Sequence, residues 1–287
     1  MPEPPITATL LISCRDQRGL VASVSDFLYR NDGNIIHADQ HTDKEESVFL
    51  QRVEWELNGF KVPRDGIAEA FAPIAEKFGM DWSIRFSDYV PRVALFTSKL
   101  PHCLYDLLAR WRMGEYRASI PLIISNHADH RPIAEEFGVE FHELPVTPET
   151  KAAQEAKAMD LLEAADVDLV VLARYMQVLS EGIVSRYTNR IINIHHSFLP
   201  AFAGGKPYHQ AHERGVKIIG ATAHYVTPAL DQGPIIDQDV ARVSHRDSVA
   251  DLIRKGRDLE KIVLARAVDL HIRNRIVVYG NKTVIFD

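Results

Sequence analysis

The feature that most constrains the fold is a series of short apolar runs, each followed by a stretch with helical spacing. The most apolar run is Leu169-Val170-Val171-Leu172-Ala173, and the β-branched run Ile191-Ile192-Asn193-Ile194 follows it after one short amphipathic stretch. β-branched residues pack well on a pleated surface, so such runs are typical of buried strands. Strands that alternate with helices form parallel α/β sheets. The sequence therefore predicts an α/β domain with a mostly parallel sheet over residues 92–287.

The first 86 residues have a different order of elements. The pattern predicts strands at 8–14, 35–40, 48–57 and 81–86, and helices that begin near Leu20 and at Ile67. This βαββαβ order is typical of a ferredoxin-like unit over residues 1–86. Residues 87–91 (Ser-Asp-Tyr-Val-Pro) interrupt the pattern and are the predicted linker. At the other end of the chain, a long helix over 248–272 and a hairpin around Gly280-Asn281 are predicted.

The turn after the first strand, Asp16-Gln17-Arg18-Gly19-Leu20, resembles that of ACT domains, a family that binds small amino acids. Gly19 at the beginning of a helix allows close backbone approach, and free helix N–H groups there favour an anion such as a carboxylate. The resemblance implies an effector site at Asp16, Gly19 and Leu20, and a homo-oligomer. A purely structural oligomerisation unit is the alternative.

Composition excludes several other classes. The net charge of −6 and pI of about 6.1 give no support for nucleic acid or an anionic membrane as a partner. Two cysteines cannot form a disulfide framework and favour a reducing compartment. No signal peptide and no apolar run of about 18 residues is visible. We expect a soluble, cytoplasmic protein.

The candidate reactive groups lie where the second domain's strands end. Asn193 and His195 are two residues apart, so on a strand their side chains share one face. Asp231-Gln232-Gly233-Pro234 follows as a turn about three dozen residues later. An amide, an imidazole and a carboxylate at a strand end suit ligand binding in an open sheet.

Three motifs resemble the formyltransferase fold of folate enzymes: Tyr-Met-x-x-Leu at 175–179, Asn-Ile-His-x-Ser-x-Leu-Pro at 193–200 and Asp-x-Gly-Pro-Ile-Ile at 231–236. The fuller strings 195–202, 206–211 and 220–225 are similar to those of the formyltetrahydrofolate deformylase family. With the ACT-like unit in front, the resemblance spans essentially the whole chain. It implies a Rossmann-like catalytic domain that hydrolyses 10-formyltetrahydrofolate to formate and tetrahydrofolate, with water as acceptor and no metal or other cofactor.

The resemblance also implies residue roles. Asn193, His195 and Asp231 match the catalytic positions. The folate pocket is implied at Met176, Val178, Leu179, Val226, Thr227 and Gly233. The chemistry is consistent with this, because an amide N–H and an imidazolium can stabilise an oxyanion, and a carboxylate can take a proton from water. Candidates for holding the folate's glutamate tail are Lys99, Arg174 and Lys206. Gly204 and Gly205 predict a flexible flap near the site.

Three alternatives stay open at this stage. Five histidines (His195, His196, His209, His212 and His224) fall within thirty residues and could indicate a metal hydrolase, although no His-Glu-x-x-His motif is present. A transferase that passes the formyl group to an amine would need an acceptor site, but the turn 97–103 has no glycines to cradle a phosphate. An amino-acid sensor with an inactive second domain is the non-enzymatic alternative.

Overall fold

The computed structural model describes residues 5–200 and 207–286. It divides into two compact units, one formed by residues up to Tyr89 together with those from Arg273 onward, and the other by Val90–Ile272. No helix in the described ranges is long and apolar enough to span a lipid bilayer.

The first unit contains the expected βαββαβ order. Its elements are β1 (Thr7–Arg15), α1 (Leu20–Arg30), β2 (Asn34–Asp43), β3 (Val48–Glu56), α2 (Ile67–Phe78) and β4 (Asp81–Phe86). The strands form an antiparallel sheet in the order β2-β3-β1-β4. Leu10 and Ile12 of β1 are buried with Trp55 and Phe71, so one face of the sheet packs on the two helices. The predicted ferredoxin-like fold is confirmed.

The second unit is built around a seven-stranded sheet. Its elements are β5 (Val93–Thr97), α3 (His102–Arg112), β6 (Leu122–Ser125), α4 (Arg131–Phe137), β7 (Glu140–Glu143), α5 (Lys151–Ala164), β8 (Leu169–Ala173), α6 (Glu181–Arg186), β9 (Ile191–His195), α7 (Pro207–Glu213), β10 (Ile218–Tyr225), β11 (Ile235–Arg242) and α8 (Val249–Ile272). The strand order is β11-β10-β9-β8-β5-β6-β7. The five strands from β9 to β7 are parallel, and β10 and β11 extend the sheet antiparallel. The mostly parallel Rossmann-like sheet is therefore confirmed.

The centre of this sheet explains the apolar runs. All five residues of β8 are buried, because the strand lies between β5 and β9 and is covered on both faces. Each fully buried leucine or valine contributes about 1.5–3 kcal/mol of transfer free energy. The strand order reverses between β5 and β8, and ligands of open α/β sheets bind in the crevice beyond the carboxyl ends at such a point.

The C-terminal hairpin requires a correction to the predicted boundary. Strands β12 (Ile276–Tyr279) and β13 (Lys282–Ile285) form the expected hairpin, but their contacts group them with the first unit and not with residues 92–272. Val277 and Phe286 are buried against Leu50, and Leu11 packs on the same cluster. The hairpin thus covers the second face of the ferredoxin-like sheet, whose apolar side chains would otherwise be exposed.

Candidate functional site

A hydrogen-bonded turn after β5 borders the crevice at the strand reversal. The Ser98 hydroxyl donates to Asn126 Oδ1 over 2.6 Å and accepts the backbone N–H of Met176 over 3.0 Å. The buried His130 ring contacts Thr97 Oγ1 at 3.0 Å. These contacts hold the segment after β8 against the turn after β5 and define one wall of the crevice.

The structure brings the three candidate catalytic residues together at the end of β9. His195 Nδ1 lies 3.2 Å from Asp231 Oδ2, and both residues are largely buried. The hydrogen bond from His195 lowers the pKa of Asp231 below its ordinary value and outweighs the opposing effect of burial. Asp231 is therefore a carboxylate at neutral pH, and it holds the imidazole of His195 through Nδ1.

The other nitrogen of His195, Nε2, has a different environment. It is buried and has no hydrogen-bond partner within residues 5–200 and 207–286. A buried polar atom without a partner is unusual in a folded protein and is common where a substrate supplies the missing contact. His195 Nε2 is therefore the candidate position for a contact with substrate.

His224 lies close to both Asn193 and this pair, with its Nε2 3.7 Å from Asp231 Oδ1, although the sequence singled it out only as a possible metal ligand. It lies opposite Asn193 on the neighbouring strand β10. Its Nδ1 donates to the Tyr225 carbonyl over 2.9 Å, and burial lowers its pKa, so the ring is neutral. Its Nε2 therefore accepts the Asn193 Nδ2–H over 3.2 Å. This contact fixes the Asn193 amide and leaves its second N–H for another acceptor.

Gly233 shapes the loop that carries Asp231. A Cβ at position 233 would lie 1.8 Å from the Tyr225 carbonyl oxygen, so only glycine fits. The Tyr225 N–H donates to the Pro234 carbonyl over 2.9 Å and ties the loop to the end of β10. Asp231 itself has a positive φ of 54°. The structure gives Gly233, which the sequence assigned to the substrate pocket, a packing reason for its identity.

The remaining folate-pocket candidates lie on two segments that follow β8 and β10. Met176 and Val178 are 59% and 54% exposed, which is unusual for apolar side chains of this size. Leu179 and Val226 are partly buried against the same apolar cluster, and Thr227 is half-buried. Two exposed apolar side chains beside a crevice provide a surface for the face of a flat ring.

The three candidates for holding the folate's glutamate tail differ in their surroundings. Arg174 is 8% exposed and forms an ion pair with the buried Glu260, so its charge is already used. Lys99 is exposed. Lys206 and the predicted flap at Gly204-Gly205 lie outside the described residues.

The predicted effector residues occupy the beginning of α1. Gly19 has a positive φ of 93°, which favours glycine. Asp16 is exposed, but the Leu20 side chain is 2% exposed and belongs to the core of the first unit. Only the backbone of Leu20 could reach a ligand, because its side chain packs on the sheet.

The metal-hydrolase alternative can be compared with the described histidines. His209 and His212 are exposed on α7. The one group of three described ligand-type residues whose atoms lie within 4.8 Å of one another is His102, Cys103 and Glu260. Burial raises the pKa of the Cys103 thiol, which disfavours the thiolate that binds metals. The Arg174 guanidinium, 3.4 Å from Glu260, would also repel a cation. This group does not fit a metal.

The comparisons with known proteins agree with the two-part architecture. The formyl transferase family model matches residues 91–268, and the ACT domain model matches residues 8–75. A curated formyltetrahydrofolate deformylase from Synechocystis sp. is 60% identical over 98% of this chain and 99% of its own length.

Solved structures show the same relationship. A formyltetrahydrofolate deformylase from Pseudomonas syringae pv. tomato superimposes with a TM-score of 0.97 at 48% identity, over 100% of this chain and 96% of that one. A glycinamide ribonucleotide transformylase from Symbiobacterium toebii matches 70% of this chain and 97% of its own, with a TM-score of 0.66 and 33% identity. The chain therefore belongs to the formyltetrahydrofolate deformylase family, in which an ACT domain precedes a formyl transferase domain.

Proposed function

We propose that this protein hydrolyses 10-formyltetrahydrofolate to formate and tetrahydrofolate, with Asn193, His195 and Asp231 as the catalytic residues. The observation that carries the proposal is the His195–Asp231 pair, which leaves His195 Nε2 buried and without a hydrogen-bond partner among the described residues. Acyl transfer needs a donor for the developing oxyanion and a group that moves protons, and these three side chains supply both.

The reaction proceeds by attack of water on the formyl carbon. Asp231, a carboxylate at neutral pH, takes a proton from the water as the new C–O bond forms. The free N–H of the Asn193 amide and a proton on His195 Nε2 donate to the oxyanion. When the C–N bond breaks, His195 gives its proton to the leaving nitrogen, and formate and tetrahydrofolate separate.

The folate is held at the crevice by Met176 and Val178, whose exposed side chains accept the pterin, with Leu179, Val226 and Thr227 around them. This assignment is supported by the place of Met176, Val178 and Leu179 beyond the carboxyl end of β8, and by the packing of Leu179 and Val226 on one apolar cluster. Of the two tail candidates that the structure describes, Lys99 suits the glutamate tail better. It is exposed, whereas Arg174 forms an ion pair with Glu260. The reaction needs no metal or other cofactor, since Asp231 activates the water directly.

The cellular role follows from the products. Formate supplies purine synthesis, and the return of tetrahydrofolate balances one-carbon folate pools. We place the enzyme in the cytoplasm, supported by Cys14 and Cys103, which are both free thiols.

The ACT domain binds a small amino-acid effector near Asp16, Gly19 and the backbone of Leu20. The assembly is a homo-oligomer. This is supported by β2, an edge strand whose residues Ile35 and Ile36 are 40% and 49% exposed, because unpaired edges of this kind pair with other strands.

The test is product analysis with purified enzyme, 10-formyltetrahydrofolate and EDTA, without any amine acceptor. We expect catalytic release of one formate for each tetrahydrofolate. Turnover only with an added amine would indicate a transferase, and turnover only after a metal is restored would indicate a metal hydrolase. No turnover in any condition would favour the non-enzymatic sensor.

A further inference from the structure

A second polar cluster lies next to the candidate catalytic residues and has no part in the steps above. His196 stacks on the ring face of His195, with centroids 5.1 Å apart and planes at 25°. The ring of Tyr208 is the next one along, 6.2 Å from His196. Asp231 contacts His195 at its ring edge, so the stack of His196 and Tyr208 borders a different side of the catalytic imidazole.

Tyr208 is anchored at its hydroxyl. It donates to Glu260 Oε1 over 2.7 Å, and Glu260 Oε2 lies 2.7 Å from His102 Nε2 and 3.4 Å from Arg174 Nε. Glu260 is 1% exposed and Tyr208 is 9% exposed. Three side chains of the protein therefore contact this buried carboxylate.

Helix α8 leaves space for the Tyr208 side chain. Gly256 lies one turn before Glu260 on α8, and a Cβ there would be 2.0 Å from the Tyr208 hydroxyl oxygen. Glycine is unfavourable in a helix interior. Its presence at position 256 therefore indicates that the space is needed for the Tyr208 side chain.

The charges of the cluster are fixed. Burial alone would raise the pKa of Glu260, but the hydrogen bond from His102 and the charge of Arg174 hold it below its ordinary value. Burial and the nearby Glu260 raise the pKa of the Tyr208 hydroxyl, which stays a donor. A buried, ionised carboxylate is a costly group and needs partners. Without the tyrosine it would attract the N–H groups of an amine or amide.

We propose that Tyr208 selects water as the formyl acceptor by filling a latent amine pocket whose floor is Glu260. This inference rests on the proposed function. With Tyr208 in place, the space beyond His196 is closed and water attacks the formyl carbon. With Tyr208 shortened, a small amine that also carries an amide enters with its amide N–H groups on Glu260, and its neutral amine nitrogen attacks the same carbon.

The alternative reaction balances without any further reagent. The amine nitrogen forms a bond to the formyl carbon, the bond from that carbon to the folate nitrogen breaks, and one amine proton is transferred to the folate nitrogen. The products are an N-formyl amine and tetrahydrofolate, in place of formate and tetrahydrofolate.

The experiment uses 10-formyltetrahydrofolate with an isotopically labelled formyl group, the full-length enzyme and glycinamide as the amine. NMR measures how the label divides between formate and N-formylglycinamide as the amine concentration rises. We expect only formate from the wild type and from Tyr208→Phe, which keeps the ring. Tyr208→Ala is expected to give an N-formylglycinamide share that grows with the amine concentration.

Two further variants keep the test decisive. Tyr208→Leu retains a buried apolar side chain and is expected to give the N-formyl product even if the alanine variant does not fold. Tyr116→Ala removes another buried tyrosine that contacts α8, through the Ala265 carbonyl, and is expected to give formate alone.

The outcomes separate the two proposals. Formate alone from a folded Tyr208→Ala or Tyr208→Leu enzyme at every amine concentration would overturn the acceptor-selection role while leaving hydrolysis intact. N-formylglycinamide from the wild type or from Tyr116→Ala would also overturn it. No formate from the wild type would instead refute the proposed function.

Discussion

The substitution Gly233→Ala tests whether the loop after β10 positions Asp231, the proposed catalytic carboxylate. The added methyl would lie 1.8 Å from the Tyr225 carbonyl oxygen and 2.9 Å from its carbonyl carbon. Real Cβ atoms essentially never come within 3.0 Å of such atoms, so the loop has to move by about 1.2 Å. The neighbour is backbone within a strand, which cannot rotate away as a side chain would. The Tyr225–Pro234 hydrogen bond and the 3.2 Å contact between Asp231 and His195 are the contacts that this movement breaks.

The size of the effect follows from the displacement. A misplacement of about 1 Å at a reacting group costs on the order of 10²-fold in rate. Overpacking of this kind costs about 1–3 kcal/mol of unfolding free energy, which most domains tolerate. We therefore expect kcat for formate release to fall about 10²-fold with KM changed much less, because Met176 and Val178, the exposed side chains proposed to hold the pterin, are on the segment after β8. Steady-state kinetics and urea unfolding measure both quantities.

Gly182→Ala is the matched control. Gly182 lies in α6 with no positive φ, and its nearest neighbour to an added Cβ is Ser180 Oγ at 3.8 Å. This change should leave kcat unchanged and slightly raise stability, because alanine is the better helix former. If Gly233→Ala keeps kcat within about twofold of the wild type, the argument that this loop positions Asp231 is refuted.

Two other predictions concern the proposed oxyanion donor Asn193 and an ion pair in the ferredoxin-like unit. Asn193→Ala should lower kcat by about 10²-fold or more, as the loss of one oxyanion donor typically does, whereas an effect on KM alone would make Asn193 a binding residue. Arg52→Met leaves Glu54 without its 2.8 Å ion pair and should lower the unfolding free energy at neutral pH by about 2 kcal/mol, less than for a fully buried pair because Glu54 is 22% exposed. Although burial acts to raise the pKa of Glu54, Thr7 and Arg52 hold it below its ordinary value, so its contribution is present above the unfolded-state pKa and is lost as pH falls through the folded-state pKa. Urea unfolding from neutral to acid pH should show that the unfolding free energy falls less with decreasing pH in Arg52→Met than in the wild type. An equal fall in both proteins would contradict this reasoning.

Periodicity was enough to predict most of the architecture. The run 169–173 coincides with β8, because a strand buried on both faces needs apolar residues at every position. Strands β10 and β11 were not predicted, since Gly220, Ala221 and Ala223 dilute the apolar pattern of β10. Gly220 is small for a tertiary reason, because a Cβ there would be 2.8 Å from the Asp239 carbonyl oxygen. Such a constraint comes from a neighbouring strand and leaves no local signal.

The site shows the same division between local and tertiary information. The spacing of Asn193 and His195 predicted that they share a face of one strand, and a turn at Asp231 was expected from its neighbours. The link through His224 depends on which residue of β10 lies opposite Asn193, and strand register cannot be obtained from single-strand patterns. The C-terminal hairpin was assigned to the wrong unit for a related reason. Its partner surface, around Leu50, is more than two hundred residues away in sequence.

The most direct test of the account is the effect of Asp231→Asn on turnover, measured together with tetrahydrofolate binding by calorimetry. Asparagine has nearly the same shape as aspartate but cannot take a proton from water. We expect formate release to be almost abolished while the affinity for tetrahydrofolate is largely unchanged. Turnover close to that of the wild type would contradict the assignment of Asp231 as the group that activates water. Loss of folate binding together with turnover would make Asp231 a binding residue instead.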